Sequence, residues 1–169
     1  MAATSLPTAK TQPPAMPDPS PRRLIVFAAG VLGLCCAGAA ISLSQHLPDG
    51  ATHATAGRQV WHDFIGGGGT AMSPPLPIMV LFAAAIAASA SRRWAGTLGA
   101  AAVAVGSIAF TLGIAIEPIT LRVLTAHPDP LKTPLTVLAL IAAPATALAA
   151  ALHLRQRLKA RHHRSGARR

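Results

Sequence analysis

Charged residues vanish over four stretches of the chain, Leu24 to Leu43, Leu76 to Ala90, Trp94 to Ile116 and Thr133 to Leu152, and Ala, Leu, Val, Ile and Gly fill them. A helix on a soluble core shows a polar face every three or four residues; these stretches show none. A hydrocarbon layer about 30 Å thick is crossed by roughly 20 apolar helical residues, and three of the four meet that length outright. The pattern predicts an all-α membrane protein, a four-transmembrane-helix bundle with spans at about 24–43, 75–91, 94–116 and 133–152. A disordered, proline-rich tail over 1–23 and a basic tail over 153–169 flank it.

The second stretch is the odd one. Its 15 residues reach only about 22 Å as helix, and Ser73-Pro74-Pro75-Leu76-Pro77 precedes it, with proline welcome at a helix start because its missing N–H has no partner there anyway. The helix is therefore expected to begin near Pro75. The Gly66 to Gly69 run before it is then either a flexible connector or a segment dipping into the bilayer, where irregular backbone is tolerated only under cover of protein or water. Arg92 and Arg93 mark a tight turn, with Trp94 at headgroup level, so the second and third spans form a hairpin. Pro144 in the fourth span removes the hydrogen bond to the Leu140 carbonyl and bends that helix. Small residues recur at four-residue spacing, chiefly Ala29, Gly33 and Ala37 with Gly30 and Gly38 beside them. Such rows let helix backbones approach in lipid, and they are expected to be helix contacts within the chain.

Charge then orients the spans. With the N-terminus inside, twelve basic residues fall on the inner side (Lys10, Arg22, Arg23, Arg92, Arg93 and seven in the tail) and three outside (Arg58, Arg122, Lys132). Basic loops resist translocation, so both termini are expected in the cytoplasm of a cell membrane. Cleavage after Ala37-Gly38-Ala39, as in a signal peptide, is disfavoured because the first apolar run exceeds the roughly 7 to 15 residues of an h-region. A lipoprotein site at Cys35 is disfavoured by Leu34 before it. The net charge of +10 raises the question of nucleic acid. However, seven of the basic residues crowd the last fifteen positions, with no aromatic among them to stack on bases. The expected partners are instead the bilayer, whose anionic inner-leaflet lipids attract each basic residue by about 1 kcal/mol, and a second copy or another membrane protein.

Chemistry is sparse. Cys35 and Cys36 are adjacent in the first span and lack the C-x-x-C spacing of a redox pair; they read as small hydrophobes. The polar groups gather in the two outer loops: His46, Asp49, His53, Arg58, Trp61, His62 and Asp63 in the first, and Glu117, Arg122, His127, Asp129 and Lys132 in the second. Imidazole with carboxylate is a general ligand set for transition metals, which makes His46, His62 and His127 the metal candidates and His62, Asp63 and Glu117 the catalytic ones. No two of these histidines stand at the i, i+4 spacing of a tight helical site, and no cofactor is indicated. Trp61 and Phe64 are read as anchoring the first loop at the headgroups. Glu117 is either an interfacial acid, if the third helix stops at Pro118, or a neighbour of Arg122, if it continues.

The leading reading is a small integral membrane protein with a structural or interaction role, in an alanine-rich chain that suits a high-GC bacterium. The first alternative is a membrane oxidoreductase or metal-dependent enzyme with a His/Asp/Glu site on the outer face. The second is a subunit of an oligomeric transporter or channel, since the spans offer only Ser, Thr and the two cysteines at mid-membrane.

Overall fold

The structure is a computed structural model that describes residues 20–47, 59–66, 68–91, 93–126 and 128–166. The proline-rich segment expected to be a disordered tail falls almost wholly outside these residues. Among them the chain is all-helical: α1 (Arg22–Ser44), α2 (Gln59–Gly66), α3 (Leu76–Ser89), α4 (Trp94–Ile116), α5 (Pro118–Thr125) and α6 (Lys132–Gly166). Three helices are long and apolar enough to cross a membrane: α1, α4 and α6 between Lys132 and Arg161. α3 is apolar but has 14 residues, and it starts after Pro75, as its prolines predict.

The four apolar helices close into a ring in which α1 packs against α3 and α6, and α4 packs against α3 and α6. Successive helices run antiparallel. The α1 C-terminus, α3 N-terminus, α4 C-terminus and α6 N-terminus thus share one end with α2 and α5. The Ser91–Trp94 turn lies at the other. α6 does not stop at Leu152; it continues unbroken through Pro144 to Gly166, about 52 Å at roughly 1.5 Å per residue.

The interior is lined by small and slender side chains. Ala28, Ala100, Val103, Ala143 and Ala150 are buried, together with Ser42, Ser89, Ser107 and Thr146. Many branched and bulky residues point away: Leu81, Val105, Leu112, Ile116, Ile141 and Leu148 are each about 60–80 % exposed. Leu24, Val31, Met79, Phe82 and Phe110 are buried as well, the two phenylalanines as a tilted ring pair with centroids 4.9 Å apart. The Ser89, Thr111 and Thr146 hydroxyls turn back on their own helices, donating to the Ile86, Ser107 and Ala142 carbonyls, which satisfies them without a partner helix, whereas the buried Ser42 and Ser107 hydroxyls have no hydrogen-bond partner among the described residues.

The helix contacts are not the ones the small-residue row in α1 suggests. Ala29 is exposed, and Cβ atoms built at Gly30 and Gly33 meet no atom within 4 Å. Gly38 alone of the small residues expected at contacts in α1 is buried; the ring is closed by it together with Ala28, Val31 and Cys35 of α1, because the helix is rotated to bury that stripe. The closest approach is between α3 and α4, where a Cβ on Gly99 would stand 2.5 Å from the Ser89 nitrogen and 2.7 Å from the Ala85 carbonyl oxygen.

Candidate functional site

At the α2/α5 end, the segment before α3 is a fixed loop packed on the bundle. The Asp63 carbonyl at the end of α2 accepts from the Gly68 and Gly69 amides at 2.8 and 3.1 Å. Gly69 then takes φ +82°, a conformation that costs a glycine nothing, and Thr70 and Ser73 pair as a tight bridge. Gly69, Thr70, Ala71 and Ser73 are all buried. The loop rests on α1 at Gly38, where an added Cβ would run into the Met72 carbonyl. Irregular backbone is thus covered by protein here, the condition for placing it at bilayer depth.

This loop roofs a cavity of about 200 Å³ walled by α1, α4, α5 and α6. Leu34, Phe110, Ile114 and Leu135 supply apolar wall, Ser73, Thr120 and Thr136 supply hydroxyls, and Glu117 lines it too. α4 ends at Ile116, and Glu117 takes an extended conformation (φ −68°, ψ 126°) before α5 starts at Pro118. The third apolar helix therefore stops where Pro118 implies, and the carboxylate sits at the corner between two helices, half-buried.

The other expected site residues have separate surroundings. His62 and Asp63 are neighbours on α2, with Nδ1 and Oδ1 3.9 Å apart, the His62 side chain 87 % and the Asp63 side chain 25 % exposed. On the same helix Phe64 turns into the hydrophobic core while Trp61 stays exposed, so the two aromatics divide between core and surface. Asp129 caps α6: its Oδ1 accepts from the Leu131 and Lys132 amides at 2.9 and 3.0 Å, and Lys132 Nζ lies 3.7 Å from Oδ2. Those two amides, with the lysine, hold its carboxyl below the usual aspartate range. Asp49, His53, Arg58 and His127 lie outside the described residues. Among the described residues no three His, Cys, Asp or Glu side chains come together as a metal would require.

His46 serves as a helix terminator. It has φ +53°, its amide donates to the Leu43 carbonyl, and the next amide, Leu47, donates to the Ser42 carbonyl at 2.8 Å. This is the Schellman arrangement, in which glycine is the preferred residue. His46→Gly is accordingly expected to stabilise the protein by about 0.5–1 kcal/mol, read as a rise in the unfolding midpoint in detergent. A loss of stability would mean that the imidazole makes a contact of its own.

One polar cluster was not foreseen. At the opposite end His153 is buried, and Arg157 Nε donates to its Nε2 at 2.8 Å, which fixes that nitrogen as an unprotonated acceptor. The same guanidinium donates through Nη2 to the Ser89 carbonyl at 3.3 Å, at the C-terminus of α3. The H-x-x-x-R spacing was available in the sequence, but it becomes a pair on one helix face only if the helix outlasts the apolar run.

No family model, no curated protein and no solved structure matches this chain.

Proposed function

We propose that the chain is a four-pass integral membrane protein, a structural or interaction component of a bacterial cytoplasmic membrane with both ends in the cytoplasm. The observation that carries this reading is the apolar outer surface of the ring: small residues make up much of the interior, while Leu, Ile and Val stand exposed along α3, α4 and α6, with Val26 and Phe27 exposed on α1. In water, apolar surface of that extent is a liability. In lipid, close backbone packing holds helices together and large apolar side chains face the acyl chains at no cost. Three helices suffice by length. α3 is the fourth pass, shortened to 14 residues and extended to the outer face by the loop from Gly68 to Pro75, whose irregular backbone the bundle covers. The basic residues near the end of α6 then face the anionic inner leaflet.

Reporter fusions test the arrangement. A fluorescent protein at the C-terminus is expected to fold and fluoresce in the cytoplasm, and alkaline phosphatase inserted after Leu47 is expected to be active outside. An active phosphatase at the C-terminus, or an intact chain recovered in detergent-free aqueous extract, overturns the reading. Metal analysis of the purified protein separates it from the enzymatic alternative. A stoichiometric transition metal that is lost with His62→Ala would favour the enzyme.

A further inference from the structure

The cavity beneath the Gly68–Pro75 loop has the makeup of a binding site: a mostly apolar wall with a few polar residues among its lining. Its one charged side chain among the described lining residues is Glu117. Gly113 and Ile114, in the last turn of α4, line the cavity beside it. The carbonyls of a helix's last turn have no partners within the helix and carry its negative dipole end. A carboxylate and a helix C-terminus thus place negative potential on one wall, the Thr120 and Thr136 hydroxyls add acceptors, and the rest of the wall is aliphatic or aromatic.

We propose that this cavity binds a cationic amphiphile, a molecule with an apolar chain and a primary or quaternary ammonium head. The chain lies against Leu34, Phe110, Ile114 and Leu135, and the ammonium sits at Glu117. Burial in an apolar surround strengthens the charge pairing, so the cationic head is preferred over a neutral or anionic one with the same chain. The proposal rests on the membrane placement above, which the fusion experiments address by a separate readout.

The test uses the full chain in lipid nanodiscs and three probes with one alkyl chain: decylamine, decanol and decanoate. A photoreactive diazirine analogue of decylamine reports the position. We expect labelling of residues 109–120 and 135–139, displaced by decylamine about tenfold more effectively than by decanol and least by decanoate. Glu117→Gln is expected to abolish the preference for the amine while leaving displacement by decanol unchanged. Gly113→Leu adds a side chain at a lining position where a Cβ meets nothing within 4 Å, and it is expected to reduce labelling while the protein stays folded. Labelling confined to the outward-facing Val105, Ile108 and Leu148, or equal displacement by all three probes in wild type, overturns the proposal. So does an amine preference that survives Glu117→Gln.

Discussion

Arg157→Ala is expected to lower the stability of the detergent-solubilised protein by about 2–3 kcal/mol, measured as a shift of the unfolding curve in a denaturing-detergent titration. The reasoning is a count of backbone acceptors at the end of α3. Of the four carbonyls that a helix C-terminus leaves without helical partners, Ile86 accepts from the Ser89 hydroxyl, Ala87 from the Ala90 amide and Ala88 from the Ser91 amide. The fourth, Ser89, accepts from Arg157. Removing the guanidinium strips that carbonyl and leaves the His153 Nε2 acceptor inside the bundle without its donor. A charged donor serving two acceptors at once contributes more than a neutral one. Arg157→Lys is expected to recover only part of the loss, since a single ammonium on a shorter reach does not present the fork that spans both acceptors. Gly96→Val attacks the same contact from the far side: a Cβ there would strike the guanidinium and the Ser91 carbonyl. If the contact is real, Gly96→Val and Arg157→Ala are non-additive in the double variant. A single-variant change in Arg157→Ala below about 0.5 kcal/mol, the ordinary range of a surface substitution, would show that the arginine merely lies there.

That contact explains why the opposite end of the bundle was hard to read from sequence. Charge counting treats Arg157 as one of seven tail cations and His153 as the first residue past the last span. Nothing local announces that α6 carries on for fourteen residues beyond Leu152, or that residue 157 meets residue 89, 68 positions away. What proved legible was whatever is local. Uninterrupted apolar runs set α1, α4 and most of α6, the proline cluster set the start of α3 after Pro75, and Glu117-Pro118 set the break between α4 and α5. Rotation of a helix about its axis is not local in a membrane protein, because an apolar run has no polar face to point outward. Hence Ala29, Gly30 and Gly33 looked like a contact and are exposed, while of the expected small residues Gly38 does pack, in line with Ala28 and Cys35.

The same limit applies to the candidate site. Histidine and carboxylate composition drew attention to the loops at the α2/α5 end, yet loop residues take their meaning from backbone geometry. His46 ends α1 in a left-handed conformation, Asp129 caps α6 and His62 is exposed. Glu117 alone among the described candidates lines a cavity, and the feature that encloses it is the glycine-rich run before α3. Four glycines in a row look like slack. Their consequence in the fold is a tight turn at Gly69 that sets Thr70 to Ser73 over the space between α1, α4 and α6.

Gly99→Leu is expected to be strongly destabilising, at about 3 kcal/mol, whereas Gly33→Leu is expected to be neutral or slightly stabilising because leucine is the better helix former. Both glycines lie within apolar helices, in rows of small residues, and sequence offers no way to rank them. The structure does. A Cβ at Gly99 meets backbone on α3, the Ser89 nitrogen and the Ala85 carbonyl oxygen, and backbone cannot rotate away as a side chain would. α3 and α4 must then separate. That separation pulls Phe82 from Phe110 across the ring and moves the Ser89 carbonyl away from Arg157. Loss of the α3–α4 seam is therefore expected to remove the stabilising effect of Arg157 as well, so that Arg157→Ala costs little further in the Gly99→Leu background. At Gly33 a Cβ meets no atom within 4 Å, and the added leucine joins the other outward-facing apolar side chains. Unfolding titrations of the two variants, run alongside crosslinking in lipid, separate the possibilities. Equal stability of Gly99→Leu and wild type would sink the described seam, and destabilisation by Gly33→Leu accompanied by lost intermolecular crosslinks would show that the exposed row of α1 packs against a second copy.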